Sequence, residues 1–198
     1  MTCNLLQPEG SETAAPFSRP PRRLPVETLA RDIRLLVLDV DGVMTDGGLY
    51  YDATGLIIKR FHVHDGIGIR LAKSAGLEIA VISGMDVPCV AKRLQELGVT
   101  EYYGGRDNKA TILDKIRSRL GLEWEEIAYL GDDWVDLAPM SKVGLPVAVA
   151  NALPDVKDAA RLVLQKEGGN GAVRELIDLL LTCQGKRDSM LEQWKHLA

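Results

Sequence analysis

Four short apolar runs recur along this chain, and polar or charged residues follow each one. They are Arg34-Leu35-Leu36-Val37-Leu38-Asp39, Leu77-Glu78-Ile79-Ala80-Val81-Ile82, Ile127-Ala128-Tyr129-Leu130 and Leu145-Pro146-Val147-Ala148-Val149. Runs of this length predict strands buried on both faces. Glu101-Tyr102-Tyr103 is a plausible further strand. Helix-length segments lie between them. Residues 65–75 place Ile67, Leu71 and Ala75 near helical spacing, and 87–97 do the same with Val90, Leu94 and Leu97. Residues 108–120 repeat Ile112, Ile116 and Leu120 at four-residue steps, and a last helix is predicted over 172–181. Gly98 and Gly121 supply helix stops. Buried strands alternating with amphipathic helices predict a three-layer, Rossmann-like α/β fold around a parallel sheet.

One segment breaks the alternation. Gly48-Leu49-Tyr50-Tyr51, Asp52-Ala53-Thr54-Gly55 and Leu56-Ile57-Ile58-Lys59-Arg60-Phe61 read as a β-hairpin over 48–61. It follows the first strand directly, so it is expected over that strand's C-terminal end, where ligands bind in open α/β sheets.

The 198 residues suit one domain, expected over 34–185, with a loosely attached leader over 1–33 and a tail over 186–198. The first 26 residues hold five prolines among Ser, Glu and Gly, a composition that favours disorder. A net charge of −4 gives no basic field for nucleic acid. Cys3, Cys89 and Cys183 are odd in number and widely spaced, so they form neither a disulfide framework nor a zinc pattern. No apolar run approaches the length of a membrane span, and the N-terminus lacks a secretory core. A cytoplasmic location is expected by default.

The strand ends carry the chemistry. Asp39 and Asp41 are two apart on an extended chain, so both side chains face one way. Gly131-Asp132-Asp133 closes another strand, with Asp136 one turn later. An aspartate after a strand is often only a helix cap, and Asp133 is open to that reading. Two strands that both end in paired acids would repel one another without a cation, and all-oxygen ligands suit Mg²⁺. Ser83-Gly84 ends the second run, where a hydroxyl and backbone N–H groups can cradle an anion, although Ser-Gly also makes turns. Lys109 opens a helix, a disfavoured place for a cation unless it neutralises a phosphate or an aspartate.

Asp39-Val40-Asp41-Gly42-Val43, Ser83, Lys109 and Gly131-Asp132-Asp133 resemble the four ordered motifs of the haloacid dehalogenase superfamily. Residues 39–51, Phe61-His62-Val63-His64-Asp65-Gly66-Ile67-Gly68, residues 129–133 and 143–150, and Gly168-Gly169-Asn170-Gly171-Ala172-Val173-Arg174-Glu175 are further similar to the 3-deoxy-D-manno-octulosonate 8-phosphate (KDO 8-phosphate) phosphatases.

The resemblance implies a capless haloacid dehalogenase fold whose only insert is the hairpin. It implies a homotetramer in which neighbours cover each other's sites. It implies one Mg²⁺ held by the Asp39 side chain, the Asp41 backbone carbonyl and Asp132. Asp39 is then the nucleophile that forms an aspartyl-phosphate, and Asp41 the acid–base group. Ser83 and Gly84 hold a phosphoryl oxygen, Lys109 adds positive charge, and Asp133 and Asp136 order metal waters and Lys109 from behind. The expected substrate is KDO 8-phosphate, for lipopolysaccharide precursor synthesis. Alternatives are a nonulosonate 9-phosphate or another sugar phosphate and, from a different class, a non-catalytic tetramerisation module. Met85 and Asn170 stand where the family usually has arginine, and His64 where it often has Arg or Lys. Arg70, Arg106 and Arg174 are candidate replacements for the missing charge.

Overall fold

The computed structural model describes residues 24–55 and 57–196. The chain opens with α1 (Val26–Arg31) and β1 (Leu35–Leu38), and every β1 side chain is buried. The hairpin follows as β2 (Tyr50–Tyr51) and β3 (Ile57–Ile58). Alternation then sets in: α2 (Val63–Ser74), β4 (Glu78–Ile82), α3 (Pro88–Glu96), β5 (Glu101–Tyr103), α4 (Lys109–Leu120) and β6 (Ile127–Gly131). The second half continues with α5 (Leu137–Met140), β7 (Leu145–Ala148), α6 (Pro154–Ala159), β8 (Leu162–Val163), α7 (Ala172–Cys183) and α8 (Arg187–Lys195).

Six strands form one parallel sheet in the order β5-β4-β1-β6-β7-β8. β1 lies between β4 and β6, with Leu35 opposite both Glu78 and Ile127. After β1 the chain builds outward through β4 and β5, then returns to β6 on the other side. The C-terminal end of β1 is therefore the switch point where a crevice opens. Strand residues Leu35, Leu36, Val37, Leu38, Ile82, Ile127 and Leu130 join Ile69, Leu113, Ile116, Leu176 and Leu180 from the helices in one core. This is the expected three-layer α/β fold.

The hairpin pairs Tyr50 with Ile58 and Tyr51 with Ile57, antiparallel, and a Thr45–Phe61 bridge pins its base. Its apolar residues divide between the core and the surface. Ile57 and Phe61 are half-buried against the core, while Leu49, Tyr50, Tyr51, Ile58 and nearby Val63 are exposed. Pleating separates Ile57 from Ile58 on β3, because alternate side chains of a strand face opposite ways, whereas both residues of β2 are exposed because that strand stands clear of the core.

The packed unit is longer than the expected 34–185. Residues 24–33 include α1, which packs on α7; Ala30 and Ile33 are buried, and Gln184 Nε2 donates to Ile33 O at 2.8 Å. The remaining leader, residues 1–23, lies outside the described residues, and Cys3 with it. The expected tail contains α8, which seats Met190 in a buried position. Among the described residues no helix is long and apolar enough to cross a membrane.

Candidate active site

Asp39 leaves β1 still tied to the sheet, its N–H donating to Leu130 O at 3.1 Å. The chain then turns sharply: the N–H groups of Met44 and Thr45 both donate to Val40 O, at 2.9 and 3.0 Å. Gly42 makes this turn with φ +85°, and a Cβ there would sit 2.1 Å from Asp132 Oδ2. The loop thus requires glycine twice over, for its backbone angle and for the approach of Asp132. Gly168 closes the turn from above, since a Cβ on it would lie 1.6 Å from Gly42 O. Asp65 anchors that upper loop by accepting from the N–H groups of Gly171 and Arg174 at 3.3 and 2.8 Å.

Lys109, the first residue of α4, is buried and donates to Asp39 Oδ1 at 2.7 Å and Asp136 Oδ1 at 2.8 Å. Asp136 is a saturated acceptor. Besides Lys109 it takes the Tyr129 hydroxyl at 2.7 Å and the N–H groups of Asp132 and Asp133 at 3.0 and 3.4 Å. With its oxygens so engaged, Asp136 holds the lysine and the Asp132 turn in place. Asp133 caps the following 3-10 turn through the Trp134 N–H at 2.6 Å, the cap reading left open above.

Carboxylate oxygens of Asp39, Asp132 and Asp136 lie within 4.8 Å of one another. Asp132 Oδ1 is buried without a hydrogen-bond partner. Burial, then the charge of Asp136, raises the Asp39 pKa to about 7 against the opposing pull of Lys109. Burial, then Asp39, Asp136 and Asp133, raises Asp132 to about 8. Burial pulls Lys109 down, but Asp39 and Asp136 outweigh it and leave its pKa raised. One lysine does not neutralise three acids. An orphaned buried oxygen beside a second carboxylate fits a hard divalent cation such as Mg²⁺.

Of the residues singled out in the sequence, Asp39, Lys109, Asp132 and Asp136 meet in direct contact or near contact. Ser83 follows β4 beside β1, is buried, and accepts the Met85 N–H on its hydroxyl at 3.2 Å. Gly84 sits next to it at the same strand end. Asp41 is half-buried and is contacted by Lys59, a residue the sequence reading passed over. Its signal was the alternation along 57–61, which turns Ile57, Lys59 and Phe61 inward and Ile58 and Arg60 outward. Tyr129 was also passed over, as one more apolar strand residue.

Two cations stand where arginines were missing. Lys59 Nζ lies 3.8 Å from Met85 Sδ, and Arg60 Nη1 donates to Asn170 Oδ1 at 3.1 Å. Arg174 is engaged elsewhere, with Asp178 at 2.9 Å. His62 and His64 stack edge to face at 5.1 Å beside the upper loop.

Comparison with known proteins points one way. Residues 96–176 match the family model of haloacid dehalogenase-like hydrolases. The 3-deoxy-D-manno-octulosonate 8-phosphate phosphatase of Escherichia coli (strain K12) is 46% identical over 159 residues, 80% of this chain and 85% of that protein. A crystal structure of the phosphatase of the same name from Moraxella catarrhalis, in complex with magnesium ion, phosphate ion and KDO, aligns with a TM-score of 0.83. It is 34% identical, over 85% of this chain and 97% of that one. The cobalt-bound Haemophilus influenzae phosphatase aligns with a TM-score of 0.78 at 42% identity, over 80% of this chain and 93% of the other.

Proposed function

The chain belongs to the 3-deoxy-D-manno-octulosonate 8-phosphate phosphatases among the haloacid dehalogenase-like hydrolases, and from that premise we propose that it hydrolyses this sugar-acid phosphate with Mg²⁺, using Asp39 as nucleophile. The observation that carries the reading is the Asp39–Lys109–Asp136 chain at the switch point, beside the unpartnered Asp132 oxygen.

Asp39 attacks phosphorus in line, the bond to the ester oxygen breaks, and an aspartyl-phosphate forms. Asp41 gives a proton to the departing alkoxide, then takes one from the water that attacks the intermediate and frees phosphate. Lys109 holds Asp39 aimed along the crevice and offsets negative charge as the phosphoryl group arrives. Ser83 and Gly84, at the end of β4, are placed to hold a phosphoryl oxygen. Asp39, Asp132 and the Asp41 carbonyl are the residues to hold Mg²⁺. When bound, Mg²⁺ relieves repulsion between the carboxylates and the phosphate dianion and orients both. Asp136 and Asp133 stand behind these ligands, the first on Lys109 and the second as a cap.

The same reading places the enzyme in the cytoplasm as a homotetramer, with the exposed apolar hairpin as the contact. A non-catalytic module is disfavoured because Asp39, Asp41, Lys109 and Asp132 are all present. Phosphate release is to be measured from KDO 8-phosphate, a nonulosonate 9-phosphate and an uncharged hexose phosphate, with Mg²⁺ and with chelator. The expected order of kcat/KM places the octulosonate first, with no turnover in chelator. Preference for the hexose phosphate would leave only a general phosphatase, and preference for the nonulosonate would move the assignment to that acid.

A further inference from the structure

Lys59 is the one buried cation at this site outside the Asp39–Lys109–Asp136 chain among the described residues, and its side chain is 0% exposed. It arrives from the hairpin, two residues before the Thr45–Phe61 bridge that fixes the hairpin's base. Strand alternation therefore directs it inward, and its ammonium meets Asp41 Oδ1. Its other contact is the Met85 thioether at 3.8 Å, a weak acceptor. A carboxylate is a far stronger acceptor for an ammonium than a thioether, so Asp41 is its dominant partner. Asp41 itself lies in the turn after β1, at the C-terminal end of the strand, with its side chain 27% exposed. A short carboxylate on a loop has several rotamers, and a charge-assisted hydrogen bond from a fixed lysine selects one of them.

We propose that Lys59 is a positioning residue, which holds the Asp41 carboxyl in the orientation needed to pass a proton to the leaving oxygen. This rests on the phosphatase reading and deepens it. The hairpin then has a catalytic consequence beyond covering the crevice: it delivers the group that orients the acid.

The test separates esters by their need for a proton. A sugar alkoxide leaves only with one, whereas p-nitrophenolate leaves without help. The quantity to compare is kcat/KM, which covers steps through phosphoryl transfer to Asp39. Lys59→Met fills the same buried volume without charge. It is expected to lower kcat/KM for KDO 8-phosphate about tenfold or more, a part of the roughly 100- to 10,000-fold that a complete acid–base contribution supplies, because Asp41 itself remains. For p-nitrophenyl phosphate the change is expected to stay within about threefold on the same grounds. Lys59→Arg keeps the cation and is expected to restore part of the loss. The double variant Lys59→Met/Asp41→Asn is expected to be no slower than Asp41→Asn alone, because the lysine acts through the aspartate.

Equal losses on both esters, or losses that multiply in the double variant, would overturn the positioning role and leave the phosphatase intact. If Lys59→Met fails to fold, the same comparison is made with Lys59→Gln, which removes the charge and keeps a polar end group; equal kcat/KM changes on both esters then overturn the role. A wild-type chain that releases phosphate from neither ester overturns the phosphatase reading, and this proposal with it.

Discussion

Asp132 has the least favourable surroundings of any carboxylate in the site, and this has a measurable cost. Its pKa is raised to about 8, by burial first and then by Asp39, Asp136 and Asp133. A carboxyl raised above its unfolded value destabilises the fold at any pH above that unfolded value, so at neutral pH the metal-free protein bears the cost. Asp132→Asn removes the charge and is expected to raise the melting temperature in chelator, by about 2–4 °C for each kcal/mol relieved. The same variant is expected to lose the further rise that Mg²⁺ gives the wild type by binding the folded state. Thermal melts with and without Mg²⁺ check both. Asp39→Asn is nearly isosteric and is expected to fold yet release no phosphate. Asp41→Asn spares the backbone carbonyl, so it is expected to keep the Mg²⁺-induced rise while losing about 100-fold or more of turnover on sugar phosphates. Isothermal titration with Mg²⁺ would show whether these two roles separate.

At the scale of elements, the site is an agreement between three loops that meet at the end of β1. The Gly42 turn, the Gly168–Gly171 loop ahead of α7 and the Asp132 turn after β6 come so close that side chains are excluded between them. Gly42→Ala combines a left-handed backbone with a Cβ 2.1 Å from Asp132 Oδ2. Strain of this kind costs about 1–3 kcal/mol. The expected result is a stability loss of that size in urea unfolding, together with weaker Mg²⁺ binding as Asp132 is pushed aside. A stability loss with unchanged Mg²⁺ affinity would mean that the turn yields instead of Asp132. The hairpin is an element of another kind. It is tied to the body by the Thr45–Phe61 bridge, Lys59 and the Arg60 contacts with Gly169 O and Asn170, and not by a core of its own.

For the whole molecule, the hairpin leaves Leu49, Tyr50, Tyr51 and Ile58 exposed on a projecting ribbon, with Val63 beside it. Two-stranded ribbons are marginal alone, and apolar clusters of this sort mark association surfaces. A tetramer is the expected mass by light scattering at micromolar concentration. Tyr51→Asp/Ile58→Asp is expected to shift it toward smaller species, because each subunit carries two buried charges into the contact. A wild-type monomer would remove the hairpin as an interface.

Strand periodicity and motif order were legible in the sequence because they are local. The apolar run of 35–38, bounded by polar residues and repeated down the chain, predicts a doubly buried strand, and Asp39-Val40-Asp41 at its C-terminal end sets two acids at its mouth. The helix registers of 65–75, 87–97 and 108–120 followed from spacing in the same way. Tertiary structure decided what depends on residues distant in sequence. Asp133 became a cap while Asp136 became the hub of Lys109, Tyr129 and two N–H groups, because the 3-10 turn directs one acid outward and the other under the sheet end. Lys59, undistinguished within the 48–61 hairpin, is turned onto Asp41 by pleating and the Phe61 bridge. The segment 24–33 reads with the leader because it continues a proline-rich stretch and its helix is only six residues long, although Val26, Leu29, Ala30 and Ile33 recur at helical spacing; the docking of α1 on α7 makes it part of the core. Local pattern fixes which way a side chain leaves its own strand or helix; which partner waits there is set by packing between elements far apart in the chain.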